Sequence, residues 1–90
     1  MIKLWHDTAW DDYLYWQTQD KRTIVRINTL VKDIERNGYS GIGKPEPLKG
    51  NLSGWWSVRI DEMNRLVFKI AGDQAAGQQL EIYACKGHYD

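Results

Sequence analysis

Pro45 and Pro47 flank Glu46 in the segment Lys44-Pro45-Glu46-Pro47-Leu48-Lys49, and no helix can pass through it. Proline fixes its own φ and drives the residue before it toward extended backbone. The Glu46 carboxylate is therefore carried on a stiff, extended strut rather than on a helix or a flexible loop. The chain divides around this strut. Helical periodicity dominates before it, and strand-like runs follow it.

Ile2 to Trp5 reads as a short strand. Asp7 or Thr8 is placed to cap a first helix ending near Gln19, and Asp11 and Asp12 suit its positive end. Asp20 caps a second helix, in which Ile24, Ile27, Leu30, Val31 and Ile34 recur at helical spacing until Asn37-Gly38 stops it. Residues 39 to 54 carry Gly, Pro, Asn and Ser and read as a long loop, a feature usually associated with function. Three strand-like runs come next, Trp55 to Ile60, Asn64 to Ala71 and Leu80 to Lys86, the last two joined by a polar connection from Gly72 to Gln78. The order β-α-α-β-β-β predicts an α+β fold. Residues 1–90 form one domain, a twisted antiparallel-rich sheet with both helices on one face.

The hairpin register follows from alternation. Trp56, Val58 and Ile60 share one face, as do Leu66, Phe68 and Ile70. A three-residue loop, Asp61 to Met63, brings the two sets together. Val58 then opposes Leu66, Trp56 opposes Phe68, and Arg59 opposes Arg65 on the other face. Like charges directly across a strand pair repel, and an anionic ligand would relieve them. Guanidinium forks suit phosphate oxygens. Both arginines turning to solvent, or meeting Glu46 and Glu81 as surface ion pairs, is an equally good account.

Composition narrows the function classes. Aromatics make up 12% of ninety residues, including five Trp, which lets so short a chain build a core. The single cysteine, Cys85, excludes an internal disulfide and a cysteine-based zinc site, and in a strand it reads as a small core residue. Two distant histidines give no metal-ligand spacing, and there is no phosphate-cradling glycine loop, so neither metal nor cofactor is expected. No apolar run spans a membrane and no signal peptide opens the chain, which implies a cytoplasmic protein. The net charge is zero, unusual for a nucleic-acid binder. Between Lys44 and Lys69, however, five basic residues face three acids, and most other acids lie in the first 35 residues.

Glu46 is either an exposed carboxylate in a structural turn or a general base for a 2′-hydroxyl beside a phosphate. Lys44 and Lys49 would then keep it ionised or bind flanking phosphates. His88, near the chain end beside Tyr89, is either inert or the proton donor to a departing 5′-oxygen. Tyr89 could bond phosphate or stack on a base. Strict alternation puts His88 on the face of Leu80 and Ile82, away from the arginines. Its catalytic role therefore needs a break in the alternation, for which Gly87 is the candidate. His6 and the aromatic residues Trp5, Trp10, Tyr13, Tyr15 and Trp16 read as structural.

Several stretches together resemble the YoeB (Txe/YoeB) family of toxins, within the RelE-like superfamily of bacterial toxin–antitoxin systems. They are Trp10-Asp-Asp-Tyr-Leu-Tyr-Trp16, Gly43-Lys-Pro-Glu-Pro-Leu-Lys49, Asn51-Leu-Ser-Gly54, Arg59, Asn64-Arg-Leu-Val67, Ala84-Cys85 and His88-Tyr89. The resemblance implies a ribosome-dependent endoribonuclease that cuts messenger RNA in the decoding (A) site without a metal, leaving a cyclic phosphate and a 5′-hydroxyl. It implies Glu46 as general base, Arg65 as transition-state stabiliser, and His88 with Tyr89 as the C-terminal catalytic pair. Lys49 and Arg59 match the basic residues around the phosphate. A YefM-type antitoxin, operator DNA bound with that antitoxin, and a homodimer are the partners it implies. The chain departs from the pattern in a longer Gly72–Gln78 connection, Lys86-Gly87, Val58 before Arg59, and Asp90 after the tyrosine. The alternative these departures keep open is a weakened RelE-like domain acting as an operon repressor with its antitoxin, or as an RNA-binding module.

Overall fold

The extended strut after the helices is itself a strand. In the computed structural model, which describes residues 1–73 and 75–89, Glu46–Pro47 forms β2 within the segment expected to be loop. It joins β1 (Ile2–Trp5), β3 (Trp56–Arg59), β4 (Arg65–Asp73) and β5 (Gly77–Ala84) in a five-stranded mixed sheet of order β1-β5-β4-β3-β2. β1 lies parallel to β5 and every other pair is antiparallel. A parallel pair needs a long crossover, and the whole stretch between β1 and β5 supplies it.

Helix α1 runs from Asp7 to Gln19 and α2 from Lys21 to Asn37. His6, not Asp7 or Thr8, is the N-cap of α1, and its side chain makes no capping bond. His6 is held elsewhere: its backbone N–H donates to the Ile82 carbonyl at 2.9 Å, which ties the helix start to β5. Asp20 caps α2 as expected, accepting the Arg22 N–H at 3.0 Å and the Thr23 hydroxyl at 3.0 Å. Gly38 follows the last helical residue of α2.

Both helices pack on one sheet face. Ile27, Leu30 and Ile34 of α2 and Ala9 of α1 meet Val58, Leu66, Phe68, Leu80 and Ile82, all at most 1% exposed. Trp5, Tyr13 and Trp16 pack at the margin of this core, whereas Trp10 and Tyr15 of α1 remain 45% and 43% exposed. Tyr39 stacks on Trp56 with 4.4 Å between ring centroids, and its hydroxyl accepts the Ile70 N–H at 2.8 Å.

Two backbone devices deliver the strut to the sheet edge. Asp33 accepts the Ile42 N–H at 2.9 Å, which folds the chain back along α2. Gly43, at φ +82°, then passes so close to the core that a Cβ there would stand 3.1 Å from both Leu30 and Val58 side chains. Lys44 follows at φ 54°, the left-handed region that L-residues seldom adopt. The β4–β5 connection is tighter than expected. Gly72 pairs with Gln78 and Asp73 with Gly77, so most of the segment read as a polar loop is strand. Gly72 is required there, since a Cβ would fall 2.4 Å from the Gly77 carbonyl oxygen.

Candidate active site

On the face away from the helices, strand register sets the candidate residues in two rows. Glu46 opposes Ser57, Ser57 opposes Val67, and Val67 opposes Ala84. One step along, Arg59 opposes Arg65, as the hairpin argument requires. The Arg59 N–H donates to the Gly43 carbonyl and the Arg65 N–H to the Gly87 carbonyl, each at 2.8 Å. Opposed residues share a face, and neighbouring strands lie about 4.8 Å apart. The small side chains Ser57, Val67 and Ala84 therefore form a floor, of which Val67 and Ala84 are 0% exposed and packed with Leu48, Trp55, Tyr83 and Tyr89. Glu46 ends that row on β2, and the arginines stand in the next row along β3 and β4.

The two arginines have separate fates. Arg59 is exposed, and its carbonyl accepts a hydrogen bond from Arg26 Nη2 of α2 at 3.0 Å. Arg65 is only 5% exposed. Its Nη1 donates to the carbonyls of Asp61 at 2.7 Å, Glu62 at 3.2 Å and Asn64 at 3.2 Å, so the β3–β4 turn wraps the guanidinium. A buried cation is costly unless hydrogen-bonded, and three carbonyl acceptors meet that need. Arg65 Nη2 lies 3.2 Å from His88 Nε2. A guanidinium only donates, so Nε2 is the acceptor in this contact.

The alternation that would send His88 to the helix side is broken first in β5 and again at Gly87, which sits at φ +103°. Phe68 pairs with Ile82 but Val67 pairs with Ala84, leaving Tyr83 as an extra residue in β5. Beyond that bulge the faces exchange. Ala84 joins the open-face cluster of Leu48, Val67, Trp55 and Tyr83, while Cys85 enters the helix-side core. Tyr89 packs in the same open-face cluster. Burial, then the Asp12 and Tyr83 charges, raise the Tyr89 hydroxyl above its ordinary 10.0, so it is a donor at neutral pH. Burial also pushes the Cys85 thiol up to about 12, with Asp12 adding to the rise, which makes it an inert core residue.

Three side chains to which the sequence reading gave no part in the tail hold it. Cys85 N–H donates to Asp12 Oδ2 at 3.0 Å, Trp16 Nε1 donates to the Cys85 carbonyl at 2.8 Å, and Gly87 N–H donates to Asn64 Oδ1 at 2.9 Å. Burial raises the Asp12 carboxyl above its ordinary 3.8, opposed by the Cys85 N–H and Lys86, with Asp11 adding to the rise. Nothing local in the sequence marks these roles, because each partner is at least 23 residues away.

Lys44 and Lys49 lie beyond opposite ends of β2, both exposed. Lys44 follows Gly43, whose carbonyl pairs with Arg59, so it belongs to the arginine end. Lys49 begins a short 3-10 turn after β2 and stands apart from that row. Glu81 lies 3.6 Å from Lys69 and 3.5 Å from His6, whose ring packs against Trp55 and Tyr83, and among the described residues it meets no arginine. Two clefts of about 380 Å³ lie away from the floor. Arg22, Arg26 and Asp61 help line one, and Lys32, Arg36 and Ile42 the other. The charged residues thus occupy an open sheet face, a form suited to a polymer. Asp90, with the carboxylate expected near His88, lies outside the described residues.

A family model for the YoeB-like toxin of bacterial type II toxin–antitoxin systems matches residues 5–89. The chain belongs to that family. It is 52% identical to Toxin YoeB of Escherichia coli (strain K12) over 89 residues, covering 99% of this chain and all of that protein. The YoeB/ParE toxin from Agrobacterium tumefaciens superposes with a TM-score of 0.92 at 43% identity, covering 99% and 100% of the two chains. The Staphylococcus aureus YoeB has been solved as a dimer (TM-score 0.87, 41% identity) and as a YoeB–YefM complex (TM-score 0.84, 41% identity). Each covers 99% of this chain and 98% of that one. The departures at Val58 and Lys86-Gly87 therefore sit inside the YoeB fold.

Proposed function

We propose that this YoeB-family toxin is a ribosome-dependent endoribonuclease that cleaves messenger RNA in the A site and so inhibits translation. The observation that carries this reading is Arg65. Its guanidinium is gripped through Nη1 by three turn carbonyls while Nη2 reaches the His88 imidazole, on the sheet face that also bears Glu46. Preorganised donors aimed at developing charge are the largest single contribution in many enzymes.

In this scheme residues 1–90 act as one catalytic unit. Glu46 takes the 2′-hydroxyl proton, the 2′-oxygen forms a bond to phosphorus, and the bond from phosphorus to the 5′-oxygen breaks. His88 delivers a proton to that leaving oxygen. The products are a 2′,3′-cyclic phosphate and a 5′-hydroxyl. Arg65 stabilises the charge on the phosphoryl oxygens, and Tyr89 donates a hydrogen bond beside it. Arg59, Lys44 and Lys49 bind the phosphates of the message. The incoming phosphate competes with His88 for Arg65 Nη2, which frees Nε2 to carry the proton it must donate. Protein groups supply every proton transfer, so the scheme calls for no metal or cofactor.

A YefM-type antitoxin is the proposed partner, as the S. aureus complex suggests, together with operator DNA when the antitoxin is bound and a homodimer. Among the described residues no helix is long and apolar enough to cross a membrane. The cytoplasm, where messages are translated, is the proposed site of action. The decisive experiment maps message 5′ ends on programmed ribosomes with and without the purified protein. New 5′-hydroxyl ends at the A-site codon are expected. Folded protein that produces none, while still repressing the operon with its antitoxin, would establish the repressor reading instead.

A further inference from the structure

We infer that Asp12 and Trp16 of α1 are positioning residues for the C-terminal catalytic tail, gripping the backbone of Cys85 from both sides. This deepens the ribonuclease reading and rests on it. After the Tyr83 bulge the chain leaves β5 at Ala84, and residues 85–89 lie outside the ladder. A segment without ladder bonds is held only by what reaches it from elsewhere. Asp12 Oδ2 takes the Cys85 N–H at 3.0 Å, Trp16 Nε1 gives its proton to the Cys85 carbonyl at 2.8 Å, and the thiol points to the Ala9 carbonyl at 3.5 Å.

Asp12 and Trp16 stand four residues apart on one helix, so their side chains share a face and meet the two peptide groups that flank the Cys85 Cα. Cys85 itself is 0% exposed in the helix-side core. The opposite anchor is the hairpin: Asn64 Oδ1 and the Arg65 N–H clasp Gly87 at 2.9 and 2.8 Å. His88 follows directly. The tail is thus suspended between α1 and the turn that carries Arg65, and the α1 end sets the direction in which His88 and Tyr89 depart. Asp12 and Trp16 bond the Cys85 backbone, so they act through the placement of the imidazole.

Placement errors of about 1 Å can cost about a hundredfold in rate. Trp16→Phe keeps ring packing but deletes the donor, Asp12→Ala deletes the acceptor, and Asp12→Asn retains one. Single-turnover cleavage on programmed ribosomes should fall about ten- to a hundredfold in Trp16→Phe and Asp12→Ala, with the half-saturating toxin concentration unchanged. Asp12→Asn should stay within about threefold of wild type, by the same reasoning. A loss that tracks only the unfolded fraction, or that appears in half-saturation alone, overturns the inference.

A second measurement needs no catalysis and separates failure of this inference from failure of the ribonuclease reading. In Asp12→Ala, amide hydrogen exchange at Cys85 and Gly87 should rise at least about tenfold and the His88 ring resonances should shift, while exchange at Phe68 and Ile70 stays put. Unchanged tail exchange with an unshifted His88 ring overturns the clamp, whether or not the wild-type protein cuts message.

Discussion

The two faces of the sheet are built from the same strands to opposite ends. Under the helices, Val58, Leu66, Phe68, Leu80 and Ile82 are sealed at 1% exposure or less. On the other face, alternate residues of those strands include Ser57, Arg59, Arg65, Lys69 and Glu81, beside an apolar cluster around Val67 and Ala84. Stability is concentrated on the first face and charge on the second. Because period-two alternation assigns each residue to one face, a chain this short can place reactive groups on a sheet without interrupting its core.

Substitutions on each face should separate accordingly. Phe68→Ala removes a fully buried ring stacked near Tyr39 and should cost about 4 kcal/mol of folding stability, read from denaturant midpoints. On the open face, Glu46→Ala should lower single-turnover cleavage by about a hundred- to a thousandfold while stability stays within about 0.5 kcal/mol. An active Glu46→Ala variant, or one that melts like Phe68→Ala, would erase the division between faces. Tyr39→Phe deprives the Ile70 N–H of its acceptor and should cost about 1 kcal/mol with cleavage per folded molecule unchanged.

The smallest effect concerns Asp12, between the two faces. Its folded-state carboxyl is raised above the ordinary 3.8, chiefly by burial, so the folded protein holds that proton more tightly than the unfolded chain. The associated stability is complete below 3.8 and is lost as pH rises through the folded value. Asp12→Asn, which cannot ionise, should therefore gain on wild type as pH rises toward neutrality, and the gain should vanish in acid. Paired denaturation curves across that window check the sign.

Residues acting on near neighbours were readable from the chain. Asp20 caps α2, the core positions of α2 follow its period, and Arg59 opposes Arg65 because a three-residue turn and two apolar faces admit one register. Glu46 was legible as an aimed carboxylate through its prolines, but its strand was not, since pairing with Ser57 depends on a distant edge. The approach of His88 to Arg65 was the hardest part. Alternation pointed the imidazole to the wrong face; the ladder breaks at Tyr83, and Gly87, the residue the sequence offered for a break, sits at φ +103°.

Backbone conformation around Pro45 and Pro47, the extent of the second helix and the hairpin register were determined by the sequence alone, because each rests on sterics or on contacts spanning few residues. The tertiary structure decided the parallel pairing of β1 with β5, the burial of Arg65 inside its own turn, and the suspension of the tail between Asp12, Trp16 and Asn64. Most of those outcomes join residues far apart in the chain, and all depend on hydrogen bonds whose acceptors exist in place only after the sheet has formed. No local pattern encodes which distant carbonyl or carboxylate will arrive.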